Sequence, residues 1–128
     1  MRREEIRTTD APAPVGPYSQ AIRAGQLLFA SGQIPLDPAT GKIVPGEIED
    51  EARRVLANLD AVLRAGGSGL DRVVKATVYL TDLSLFPRVN TIYAEYFSAQ
   101  PAPARVTVGV ASLPLGARVE IDAIALCD

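Results

Sequence analysis

Two charged residues stand inside apolar runs, Arg105 in Ala104-Arg105-Val106 and Glu120 in Val119-Glu120-Ile121, and they set out the chemistry open to this chain. An arginine on a half-buried strand face must find an anion or reach water. Its planar fork can donate two parallel hydrogen bonds to a carboxylate, so Arg105 reads as a clamp for a small acid. The ordinary alternative is an ion pair with Glu120 or Asp122. Glu120 is read either as a counter-ion of Arg105 or Arg118, or as the group that orients or deprotonates a water molecule.

The second role for Glu120 gains weight from what is missing. The chain has no histidine and one cysteine, Cys127. Ser-His-Asp and Cys-His nucleophile systems, histidine-bearing zinc sites and thiolate clusters are excluded within one chain. Any catalysis must use carboxylate, arginine, tyrosine, hydroxyl, backbone and water. Other candidates carry weaker signals. Tyr18 and Ser19 follow Gly16-Pro17 at the end of a proline-rich loop, where a tyrosine is more often packing than site. Asn90 lies one step from an apolar helical stripe, where a solvated residue is the commoner reading. Ser31-Gly32 follows an apolar run and is more often a turn, although an amide beside a glycine can approach a ligand. The run Gly66-Gly67-Ser68-Gly69 is no phosphate loop, because a strand follows where a helix N-terminus is required.

These residues need elements to hold them. A short strand is expected over residues 6–9, then an extended loop over 10–17 with three prolines. Gly25-Gln26 makes a tight turn between two strands, the second containing Leu27-Leu28-Phe29-Ala30. Residues 32–46 form a loop, with a small excursion near 42–44. Ile48, Ala52, Val55, Leu56, Leu59, Val62 and Leu63 recur at helical steps, with acids early, Arg64 late and Gly66-Gly67 as the left-handed stop. Val74, Ala76, Val78 and Leu80 alternate with Val73, Lys75, Thr77 and Tyr79 as a strand. A second helix carries Phe86, Val89, Ile92, Tyr93, Tyr96 and Phe97, with Pro87 in its first turn. Strands over 104–110 and 118–126 close the chain. In the first, Arg105, Thr107 and Gly109 oppose Val106, Val108 and Val110.

Strands joined through helices predict an α+β protein, a mixed sheet with both helices on one face. Stretches such as Val106-Thr107-Val108 are apolar on both sides, so another subunit is expected over the helix-free face. With 128 residues, 48% hydrophobic and 22% charged, the chain suits one domain over residues 1–128 with a packed core. A net charge of -2, without a dense basic run, disfavours nucleic acid as partner. One cysteine near the end suggests a reducing compartment. Met1-Arg2-Arg3-Glu4-Glu5 leads into no signal core, and no apolar run would span a bilayer, so a cytoplasmic protein is expected.

Taken together, Gly16-Pro17-Tyr18-Ser19-Gln20-Ala21, Ser31-Gly32-Gln33-Ile34-Pro35, Pro103-Ala104-Arg105-Val106-Thr107-Val108, Leu113-Pro114 and Val119-Glu120-Ile121 resemble the RidA/YjgF family over nearly the whole chain. The resemblance implies a chorismate-mutase-like fold, assembled as a homotrimer around a central barrel, with sites in clefts between subunits. It implies hydrolysis of reactive 2-imino or 2-enamino acids, such as 2-aminoacrylate or its imino tautomer, to 2-oxo acids and ammonia, with no metal or organic cofactor. By the same resemblance Arg105 binds the substrate carboxylate and Glu120 places the hydrolytic water. Tyr18, Ser31, Gly32 and Asn90 line the cleft with the backbone around Thr107, where many relatives carry cysteine. Two other functions stand beside this one: a non-catalytic binder of small carboxylates, and an endoribonuclease, which the absence of histidine and the balanced charge make less attractive.

Overall fold

The computed structural model describes residues 2–128. One six-stranded sheet runs β1-β2-β3-β6-β4-β5. Its strands are β1 (Arg3–Ile6), β2 (Ala21–Ala24), β3 (Leu27–Gln33), β4 (Val73–Leu80), β5 (Ala104–Gly109) and β6 (Val119–Leu126). All pairs are antiparallel except β4 with β5. Helix α1 (Ile48–Ala65) links β3 to β4, and α2 (Phe86–Tyr96) makes the crossover that the parallel β4–β5 pair requires. The sheet is mixed and backed by two helices, as the alternation of patterns predicts.

The core lies between α1, α2 and one sheet face. Ile48, Ala52, Val55, Leu56, Leu59, Val62 and Leu63 are fully buried, against Leu28, Ala76, Val78, Leu80, Val119, Ile121 and Ala125. The period-3.6 stripe of α1 therefore meets period-two stripes of three strands. Glu47 and Asp50 bond reciprocally at the start of α1, and Gly67, at φ +80°, turns the chain out of its end. Cys127 is buried just beyond β6 and unpaired.

Four expectations are corrected. The first strand is Arg3–Ile6 rather than 6–9, because pairing with β2 selects residues whose own sequence is charged and carries no strand pattern. Ser31 and Gly32 belong to β3, at a register break against β6, instead of forming a turn. A break between Val73 and Lys75 buries Val73 and exposes Val74, reversing the expected order there. The last two strands end one residue inside the predicted limits, at Gly109 and Val119.

One ion pair joins the helical layer to the site. Glu51, 5% exposed, accepts from Arg118 Nε at 2.5 Å and from the Arg118 amide at 3.2 Å, while Arg118 also donates to the Gly46 carbonyl. It anchors the turn before β6. Glu51→Gln should cost about 2 kcal/mol, in the range for hydrogen bonds to charged groups, as a lower urea midpoint at unchanged slope.

Candidate active site

Arg105 pairs with Ala76 across the parallel ladder and shares its face, beneath α2. Its guanidinium carbon sits 5.1 Å from the Phe86 ring centroid and 4.7 Å from that of Tyr93. Nη1 donates to Asn90 Oδ1 at 2.7 Å. These contacts set the orientation of the fork without neutralising it, because no carboxylate is in ion-pair range among the described residues. The ordinary alternative, a pair with Glu120 or Asp122, is therefore overturned. The guanidinium remains exposed. Around it lie two buried hydroxyls without a protein partner, Tyr93 Oη and Thr107 Oγ1. Burial raises the Tyr93 phenol above its ordinary pKa, with Arg105 opposing, so it stays a donor at neutral pH.

Glu120 pairs with Tyr79 on β4, a residue on the opposite face from Ala76, Val78 and Leu80. Its carboxylate meets Gly32 so closely that a Cβ built on that glycine would fall 2.0 Å from Oε2. Glu120, Gly32, Ser31 and Tyr18 line one cavity of about 470 Å3, walled on its apolar side by Leu36 and Leu115. A wider, more open groove of about 700 Å3, lined by Glu5, Arg7 and Thr9, continues past Tyr18. The smaller cavity holds the candidate chemistry, since Glu120 faces it alone. Burial, and then the charge of Asp122, push the Glu120 carboxyl above the ordinary glutamate value of 4.5.

The candidates thus fall into two groups on opposite sheet faces. Arg105, Asn90 and Thr107 lie on the helix side at the β5 edge, and Tyr18, Ser31, Gly32 and Glu120 on the other side, with β4 between the two charged strands. The backbone supports of the second group are buried amides. Gln20 Nε2 donates to the carbonyls of Thr8 and Pro12, and its Oε1 accepts from the Thr8 amide at 2.8 Å, pinning the loop that ends in Tyr18. Ser31 Oγ donates to the Ser19 carbonyl at 2.6 Å. Asn58, wholly buried, donates to the carbonyls of Ile34 and Leu36 and so holds the far wall.

Sequence reasoning missed the aromatic support of Arg105, because Phe86 and Tyr93 fall on an apolar helical stripe that reads as core. It also missed Gln20, Asn58 and Leu115. A buried amide leaves no periodic signal. The described residues include no group of three or more metal-ligating side chains and no helix long and apolar enough to cross a membrane.

Fold and site define an α+β protein whose mixed sheet carries, on one side, an exposed arginine without a carboxylate partner among the described residues and, on the other, a cavity lined by Glu120. More particularly, the chain belongs to the YjgF/RidA family, whose model, described as endoribonuclease L-PSP, matches residues 8–127. A RutC family protein of Pyrococcus horikoshii is 54% identical over 123 residues, covering 96% of this chain and 97% of the relative. The mouse 2-iminobutanoate/2-iminopropanoate deaminase is 48% identical over 124 residues, 97% of this chain and 91% of the relative. Among solved structures, Escherichia coli TdcF with bound serine superposes with a TM-score of 0.92 at 40% identity, over 98% of this chain and 99% of that one. Membership of this family supports a Rid-type deaminase.

Proposed function

We propose that this protein hydrolyses reactive 2-imino acids, and the 2-enamino acids that tautomerise to them, to 2-oxo acids and ammonia. The observation that carries this reading is the Arg105 guanidinium, oriented by Phe86, Tyr93 and Asn90 yet bearing no counter-ion. Its free donors suit a substrate carboxylate, which holds the adjacent protonated C=N carbon in place. Glu120 accepts a proton from water as the oxygen attacks that carbon. It returns that proton to the nitrogen and takes up the hydroxyl proton as the C–N bond of the carbinolamine breaks. Ammonia leaves, the C=O group of the 2-oxo acid forms, and the last proton departs with ammonia as ammonium. No imidazole is needed. The mouse relative's name and the serine bound by TdcF speak for a small amino-acid-like ligand.

Because the clamp and the carboxylate lie on opposite faces, we assign the working site to a cleft between copies of the chain, Arg105 from one and Glu120 from its neighbour, in a homotrimer. The helix-free face supports this, since Leu27, Phe29, Val106 and Leu126 are each about two-fifths exposed on it. The reducing cytoplasm suits a chain with a single unpaired thiol.

The test is to generate 2-aminoacrylate with a dehydratase and time the appearance of 2-oxo acid with and without the protein. An unchanged rate would leave only carboxylate binding. The endoribonuclease reading is disfavoured by charge: Arg2, Arg7, Arg53, Arg64, Arg72, Arg88 and Arg118 each already face a carboxylate.

The raised Glu120 pKa gives a pH prediction. As a base it works only when ionised, so kcat/KM should rise with pH through a value above 4.5, and Glu120→Gln should lower turnover and lose that limb. Stability runs the other way. A carboxyl whose folded pKa is raised favours the native state below 4.5 and loses that contribution as pH climbs through the folded value. Glu120→Gln should therefore melt higher than the parent at pH 7, with the gap closing in acid.

A further inference from the structure

We infer that Leu115, which lines the Glu120 cavity together with Val15 and Tyr18, selects substrates whose side chain is apolar and larger than methyl. This rests on the deaminase reading and names the substrate class it would favour. Val15 is 79% exposed, Leu115 65%, Leu83 53% and Tyr18 50%, and three of these four most exposed large hydrophobic residues line this one cavity. Single exposed apolar residues need no explanation, but a ring of them around a pocket does.

Leu115 also lies in the left-handed region, at φ 57° and ψ 25°, the only non-glycine residue with positive φ among those described. For a branched aliphatic residue that conformation costs roughly 1–2 kcal/mol. Glycine or asparagine would sit there with less strain, and Gly116 does so next door at φ 74°. The turn is held from both ends: the Ala117 amide donates to the Pro114 carbonyl at 3.1 Å, and Arg118 is locked to Glu51. An exposed apolar side chain is thus carried on a fixed, strained backbone in the lining of the cavity that holds Glu120. Strain and exposure together gain the isolated chain nothing, so the benefit belongs to what the cavity receives. On the single chain this cavity measures about 470 Å3, within the range of pockets for drug-sized ligands.

One amino-acid oxidase acting on alanine or on leucine supplies a small and a large 2-imino acid in the same assay. The parent protein should show the higher kcat/KM on the leucine-derived imine, and Leu115→Asn should cut the large-to-small ratio by roughly tenfold, the worth of a few methylene contacts. Calorimetric affinities for 4-methyl-2-oxopentanoate and pyruvate should change in the same ratio, a readout that needs no turnover. If neither imine is hydrolysed faster but this binding preference depends on Leu115, the deaminase reading fails and the pocket assignment stands. An unchanged ratio in both measurements overturns the inference. So does a variant whose sedimentation shows a changed oligomer, because Leu115 would then be packing against a neighbouring copy.

Discussion

Arg105→Ala should reduce kcat/KM for 2-aminoacrylate-derived substrate by a factor of about 10^2 to 10^4, while the protein melts within a few degrees of the parent. Two charge-assisted hydrogen bonds to a carboxylate are worth about 1.5–3 kcal/mol each, and both vanish with the guanidinium. The stability cost is small because the side chain is exposed and its contacts with Phe86 and Tyr93 are cation–π contacts of about 0.5–1 kcal/mol at such sites. Arg105→Lys separates charge from shape. An ammonium keeps the attraction but not the fork, and it cannot hold Asn90 and two carboxylate oxygens in one plane, so a loss of about tenfold to a hundredfold is expected. Dehydratase-coupled kinetics and thermal melts of both variants check this. Full activity in Arg105→Ala would remove the clamp assignment altogether.

Gly32→Ala should be nearly as damaging for a different reason. The added methyl would fall 2.0 Å from Glu120 Oε2 and 2.9 Å from its Cδ, so the carboxylate must move. Its displacement is cheap for the fold, since a flexible side-chain end yields and Gly32 needs no positive φ. It is expensive for chemistry. A misplacement of about 1 Å in a catalytic group can cost about a hundredfold, and that loss should appear in kcat. The double variant Gly32→Ala with Glu120→Gln should be no worse than Glu120→Gln alone, because both act through one carboxylate. Additive losses in single-turnover kinetics would mean that Gly32 acts independently of Glu120.

How much of this was legible in the sequence depended on whether the signal was local. The stripe of α1 and the alternation of β6 are written in their own residues, and both elements fall where the pattern puts them. Strand β1 is not, since Arg3-Glu4-Glu5 pairs only because β2 offers an edge. Arg105 and Glu120 stand out in the sequence as charges in apolar strands, but alternation fixes faces only within a strand. Their separation to opposite faces depends on β4 lying between β5 and β6, which no window of sequence encodes. The aromatic bed of Arg105 was hidden in plain periodicity, with Phe86 and Tyr93 serving core and site together.

The hydroxyl of Thr107, two residues along the strand from Arg105, matters for what it cannot do. The imino tautomer of such substrates is the electrophilic form, open to addition by thiols and amines, and this chain keeps few of either. Its sole thiol is 2% exposed beyond the end of β6, it has no imidazole, and its lysines are only Lys42 and Lys75. Under the proposed function such a catalyst would be spared inactivation by its own substrates, and peroxide or maleimide has no cysteine sulfur beside Arg105 to consume.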